Sequence, residues 1–363
     1  MAAARLLIYL LFYADNKEIT TAPRKNRQVV RMDSRKLSLG ATVLVLVIIV
    51  ILAVTQTSIT SSATSQQPLR VAIVQGVLFS LPSMIAVEKG YFSQEGLTAE
   101  VTEFSSTKDA FDALAAGRAD ITVLGLPNLF AAELASPGKV KASGIMADTK
   151  ERYMTYILIA KDSPINKTSD LKGRKFGAAL GTNTKVWSAA MLRSLAGLEL
   201  GKDVELAQMS YGLLLGALEA GSVDAIYANE PLATIGVARG IARVLEKNPR
   251  TAVMNPAPFG APFGVSAEFV KKRRGDACGA YRAVARAVNF LNANETAAKR
   301  VYAARERLDA ATIESATLMN VSLGAGDDAQ QAQRLADFML AQGELKAPVR
   351  TQGMFIAEKE LCG

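Results

Sequence analysis

The phrase ALAAGRADITVLGLP at 113–127 returns 104 residues later as ALEAGSVDAIYANEP at 217–231. Ala113, Leu114, Ala116, Gly117, Asp120 and Pro127 reappear as Ala217, Leu218, Ala220, Gly221, Asp224 and Pro231. Each copy reads as a helix that ends, a tight turn and a buried strand. Gly117 and Gly221 stand where a helix terminates and a positive φ is wanted. Asp120 and Asp224 suit the turn after each helix, and Pro127 and Pro231 suit the first turn of the next helix. The flanks repeat as well. Val71–Gln75 falls on Lys175–Ala179, and Phe104-Ser105-Ser106 falls on Gln208-Met209-Ser210. The repeated unit is β-α-β-α-β, the building block of a parallel sheet with helices on its faces. The sequence therefore predicts two similar α/β lobes.

Residues beyond the second unit do not make a third. TAVMNPAPFGAPFGV (251–265) is extended and proline-rich, and 277–305, 311–323 and 330–345 carry helical periodicity. These segments are expected to return to the first lobe. The chain would then cross between lobes near Ile159–Ser163 and again near Pro249–Pro258, and two crossovers make a hinge. The expected division is a basic cytoplasmic extension (1–36), a signal peptide or membrane anchor (37–54) and a linker (55–68). Lobe 1 takes 69–160 with 255–363, and lobe 2 takes 161–254.

The net charge of +8 resembles a nucleic-acid signal until its location is considered. Residues 1–68 hold eight Lys/Arg and three acids, leaving a net charge of +3 for the remainder. That is no footprint for a polyanion, so no nucleic-acid partner is expected. Leu37–Val54 is nearly all apolar, long enough to cross a bilayer as a helix. The basic residues precede it, which places the N-terminus in the cytoplasm and the rest outside. Met32, directly before this basic-then-apolar signal, is a second candidate start. Cleavage or retention of the segment stays open. TQTSITSSATSQQ (55–67) reads as a flexible linker.

The chain has no histidine. That excludes His-based acid–base chemistry, Ser-His and Cys-His nucleophile pairs, and most zinc sites. Neither metal nor cofactor is expected, and a monomer is. The two cysteines, Cys278 and Cys362, could pair in an exported protein, but sequence does not show whether they meet.

YILIAKDSPINKTSDLKGRKFGAALGTNT (156–184) resembles the substrate-binding proteins of ABC importers for nitrate, sulfonates and taurine, whose relatives handle the thiamine pyrimidine precursor. The matching residues are Lys161-Asp162-Ser163-Pro164-Ile165, Asp170 through Gly177, and the Gly181-Thr182 loop. AVEKGYFSQEGL (86–97) and LADFMLAQGELKAPV (335–349) resemble the family's first helix and C-terminal tail. The resemblance spans Leu69 to Gly363. It implies a type II periplasmic-binding fold with two α/β lobes, two crossover strands and a ligand in the cleft. The implied partners are a small-molecule ligand, an ABC permease and its ATPase, with the membrane reached through the N-terminal helix.

In such sheets, ligands sit at the carboxyl ends of the strands. That picks out Gln75 and Gly76, then Ser106 and Thr107, then Gly125 and Asn128 in the first lobe. In the second lobe it picks out Thr182, Asn183 and Thr184, then Ser210 with Tyr211, then Glu230. Several of these loops open helices, whose free N–H groups and dipole suit an anion. The plain alternative for each Ser, Thr or Asn is that it only caps its helix. Glu230 suits a ligand amine or, alternatively, the start of its own helix. The family often places an aromatic before the acid-Pro pair, and Asn229 stands there instead. Trp187 fits core packing or a pocket wall, and Tyr153 and Phe263 could line the hinge side. The expected function is extracytoplasmic capture of a small organic anion or zwitterion, without catalysis. An anchored solute sensor and a thiamine-pyrimidine enzyme on the same scaffold are the alternatives.

Overall fold

The structure is a computed structural model that describes residues 67–324 and 326–363. The first half runs β1 (Leu69–Val74), α1 (Leu81–Glu88), α2 (Tyr91–Gln94), β2 (Ala99–Phe104), α3 (Thr107–Ala115), β3 (Ile121–Gly125), α4 (Leu126–Ala135), β4 (Val140–Ser143) and β5 (Ile145–Asp148). The second runs β6 (Thr155–Ala160), β7 (Lys175–Ala179), α5 (Thr182–Ala196), β8 (Glu205–Met209), α6 (Leu214–Glu219), β9 (Ala225–Asn229), α7 (Leu232–Ala238) and β10 (Ala242–Lys247). Then come β11 (Ala257–Ser266), α8 (Ala267–Lys272), α9 (Arg274–Ala293), α10 (Glu295–Glu306), α11 (Ala310–Glu314), β12 (Asn320–Ser322), α12 (Asp328–Ala341) and α13 (Glu358–Cys362).

These strands build two sheets. The first has the order β12-β5-β11-β3-β1-β2, with β4 also pairing β11, and the second has the order β10-β6-β9-β7-β8. In each, three strands are parallel: β2-β1-β3 and β8-β7-β9. In each, an antiparallel strand closes the parallel set: β11 against β3, and β6 against β9. The closing strands are exchanged. β6 comes after the first unit but joins the second sheet, and β11 comes after the second unit but joins the first. This two-sheet α/β architecture fits a type II periplasmic-binding fold.

The duplication extends to side-chain chemistry. Asp120 accepts the Arg70 N–H at 2.8 Å and pairs with the Arg70 guanidinium. Asp224 accepts the Lys175 N–H at 2.8 Å and pairs with Arg174. Each aspartate ties the start of its lobe's first strand to the start of its third. Gly117 and Gly221 end their helices at φ +68° and +67°, a conformation that glycine adopts without strain. The registers also correct the alignment of the repeat. Val71 faces Ile121 and Val101, whereas Phe176 faces Ala225 and Leu206. The offset is thus 105 through the first two strands and 104 from the next helix onward. The backbone hydrogen bonds to the aspartates fix this register, which residue identity alone blurred by one position.

The first crossover lies earlier than expected. The chain leaves the first sheet after Asp148 and enters the second at Thr155, upstream of Ile159–Ser163. TYILIA (155–160) is almost wholly buried between β9 and β10, so it is an interior strand of the second sheet. The return crossover, between Lys247 and Ala257, overlaps the predicted Pro249–Pro258. The C-terminal helices pack on the first sheet's side, with α9 buried through Tyr281, Val284, Val288 and Leu291. Cys278 on α9 and Cys362 on α13 form a disulfide across a separation of 84 residues.

The membrane-helix expectation is corrected: among the described residues no helix is long and apolar enough to cross a membrane. Even the 20-residue α9 is amphipathic, carrying Arg274, Asp276, Arg282 and Arg286. The segment 37–54, with the basic extension before it and the linker up to Gln66, lies outside the described residues.

Candidate functional site

The loops at the carboxyl ends of the parallel strands meet in pairs across the gap between the sheets. A Cβ on Gly76, after β1, would stand 3.6 Å from the ring of Tyr211, after β8. One on Gly125, ending β3, would stand 3.0 Å from Asn183 Cγ, and one on Gly181 would stand 3.5 Å from Thr107 Oγ1. The Leu78 N–H donates across the same gap to the Glu230 carbonyl at 3.2 Å. Small residues permit these approaches, because a side chain at Gly125 would press on Asn183.

Between the paired loops is a hollow of about 580 Å³. The first lobe contributes Gln75, Gly76 and Ser105, and the second contributes Ser210, Tyr211 and the start of α7 at Pro231 and Leu232. The third wall is α10 and its exit, with Tyr302, Glu306 and Leu308. This volume lies in the range of small-molecule sites. Tyr302 is fully buried and its hydroxyl has no hydrogen-bond partner. Burial raises the pKa of Glu306, against the pull of the nearby Gly76 N–H. A buried hydroxyl gains from a polar partner.

The predicted site residues divide. Gln75, Gly76 and Ser210 line the main hollow. Asn128 and Thr182 line a second, of about 350 Å³, beside Lys108 and Lys139. Ser106 caps α3, accepting the Asp109 N–H at 3.1 Å and donating back to its carboxylate at 2.7 Å. The Thr184 hydroxyl donates to the Ala179 carbonyl at 2.5 Å. Gly125 lies close beside Asn183 and Gly181 faces Thr107, so these four lie along the seam between lobes. Glu230 is buried, with its side chain held at its own helix. It accepts the Thr234 N–H at 3.1 Å and hydroxyl at 3.0 Å, and the Thr317 N–H at 3.4 Å. Burial raises its pKa against those donors. Its carboxylate therefore takes the helix-terminal role, and it lines a separate hollow of about 270 Å³.

Behind the hollow the crossovers are locked together. Asp148, where the chain leaves the first sheet, pairs at 3.2 Å with Arg250 on the return crossover, and both are almost completely buried. Arg250 also donates to Tyr227 and to Asn229 Oδ1, the latter at 3.3 Å. Its guanidinium lies 4.1 Å from the Phe259 ring centroid and 5.4 Å from that of Trp187. Trp187 is accordingly a core residue, and Asn229 serves this hinge network where the family's aromatic would stand. Phe263 packs edge-on against Tyr281 in the first lobe's core, away from the hinge role expected for it. Tyr153 packs tilted against Tyr156, with ring centroids 5.6 Å apart.

Sequence reasoning missed Tyr302, Glu306 and Arg250. The first two lie on an amphipathic helix in the returning segment and carry no motif. Arg250 sits in a proline-rich crossover, where one more arginine in a basic chain draws no notice.

Among known proteins, a Bacillus subtilis protein named for binding aliphatic sulfonates is 27% identical over 52% of this chain and 55% of its own length. The chain therefore spans about half of that relative. A Brucella abortus protein named only as a binding protein is 24% identical over 80% of this chain and 91% of its own length. The solved alkanesulfonate-binding protein SsuA of Xanthomonas axonopodis, bound to MOPS, superposes with a TM-score of 0.66. It is 20% identical, covering 80% of this chain and 98% of that one, a likeness of fold. The NMT1-like family model matches residues 63–305, about two thirds of the sequence. With its duplicated lobes, exchanged strands and shared hollow, the chain belongs to the NMT1-like family.

Proposed function

We propose that this chain is the extracytoplasmic substrate-binding component of an ABC importer. It captures a small organic anion or zwitterion between its lobes and presents it to a permease and its ATPase. One observation carries the reading: Gln75 and Gly76 from the strand ends of one repeated half face Ser210 and Tyr211 from those of the other around the main hollow, and the chain crosses between the halves twice. That is the layout of a clamp that closes on a ligand. Family membership and the names of the sulfonate-binding relatives support it. Fold alone does not assign chemistry, but the chain offers no histidine and both cysteines are consumed in the disulfide. That excludes histidine- and thiol-based catalysis, and family membership carries the non-catalytic reading.

A thermal-shift screen tests it, using nitrate, taurine, alkanesulfonates, aromatic carboxylates and pyrimidines. A ligand at about 100 times its Kd stabilises the folded state by about 2.7 kcal/mol, which is several degrees in Tm for a chain of this size. At least one compound should produce such a shift. A flat response across the whole panel would overturn the proposal.

A further inference from the structure

The hollow's charge bears on which solute it takes, an inference that rests on the capture reading above. Among the described residues lining it, Glu306 is the one with a charge, and no Lys or Arg faces it. The adjacent Arg305 pairs with Glu88 at 2.7 Å and Glu103 at 2.6 Å, so its charge is already engaged. Gln75, at the same rim, also hydrogen-bonds to Glu103. Tyr302 lies one helical turn before Glu306, on the same face of α10. Its hydroxyl is fully buried and unpartnered beside the carboxylate's position on that wall. The rest of the lining is neutral or apolar, including Leu232, Ile235 and Leu308.

A half-buried carboxylate whose cationic neighbour, Arg305, is already held by Glu88 and Glu103 repels a bare anion. It attracts an ammonium group strongly, because charge-assisted hydrogen bonds gain in partly desolvated sites. We propose that the solute held here carries an ammonium group seated against Glu306 and Tyr302, with an apolar body along Leu232, Ile235 and Leu308. The class is an amine-bearing organic solute, not a plain sulfonate, nitrate or carboxylate. Glu306 thus takes the amine-recognition role that the sequence suggested for Glu230.

Isothermal titration of the full-length chain with two matched pairs tests this: taurine against ethanesulfonate, and 6-aminohexanoate against hexanoate. The amino member of at least one pair should bind about tenfold tighter or better, the worth of one charge-assisted hydrogen bond. Glu306→Gln should erase that advantage while leaving the deaminated partner's affinity within about threefold. Tyr302→Phe should weaken the amino member alone, and melting curves of both variants report that they fold. If a deaminated member binds as tightly as its amino partner, or Glu306→Gln leaves the ratio unchanged, the inference falls and anion capture stands. If none of the four binds, the inference falls, and the wider panel above decides separately on capture.

Discussion

Arg250→Met strands a buried charge at the hinge. Asp148 and Arg250 have side-chain exposures of 0% and 1%, and Asp148 also accepts the Met154 N–H at 3.1 Å and the Thr155 hydroxyl at 2.5 Å. Removing one member of such a pair costs about 3–5 kcal/mol, which lowers Tm by roughly 10 °C in a chain of this size. Asp148→Asn in the same background removes the stranded charge and should recover a large part of that loss. The pH dependence has a fixed sign. Burial holds the Asp148 carboxyl above its ordinary pKa, against the pull of Arg250, and loss of Arg250 drives it higher. A carboxyl raised in the folded state stabilises fully below its unfolded pKa, and that contribution disappears as pH rises through the raised value. The deficit of Arg250→Met should therefore shrink between pH 8 and pH 5. Urea unfolding of the wild type, both single variants and the double variant at three pH values measures this. Strictly additive losses, or a deficit independent of pH, would refute the ion-pair reasoning.

The packing carries three further expected outcomes. Gly125→Val should hinder approach to Asn183, weakening ligand binding and expanding the protein in small-angle scattering, with little change in Tm. Asp120→Ala should cost about 1.5–3 kcal/mol in urea unfolding. Asp224→Ala should cost visibly less, because Asp224 is 32% exposed and Asp120 only 2%. Cys362→Ser should lower stability by up to about 4–5 kcal/mol, the loop-entropy expectation for 84 residues, without altering ligand affinity.

The repeat made the fold legible. Gly117 with Asp120, and Gly221 with Asp224, mark a helix end and a strand start by backbone chemistry that any reader of sequence can apply. The exchange of β6 and β11 was less visible, because antiparallel pairing at a crossover depends on partners far along the chain. TYILIA reads as a buried strand but does not say in which sheet. The same limit governed the site. Gln75, Gly76 and Ser210 come from strand ends, a local property. Glu230 was ambiguous because an acid before a helix serves a ligand or the helix equally well, and only Thr234 and Thr317 decide. Tyr302 and Glu306 reach the hollow through the packing of α10, which periodicity places on a face without naming the neighbour.

Native mass spectrometry on protein purified without denaturation from its own cells bears most directly on the clamp. The account predicts a one-to-one small-molecule adduct on the wild type that is lost in Ser210→Trp, where the indole fills the hollow. A wild type that carries nothing after incubation with cell extract, or an adduct that survives Ser210→Trp, would contradict it.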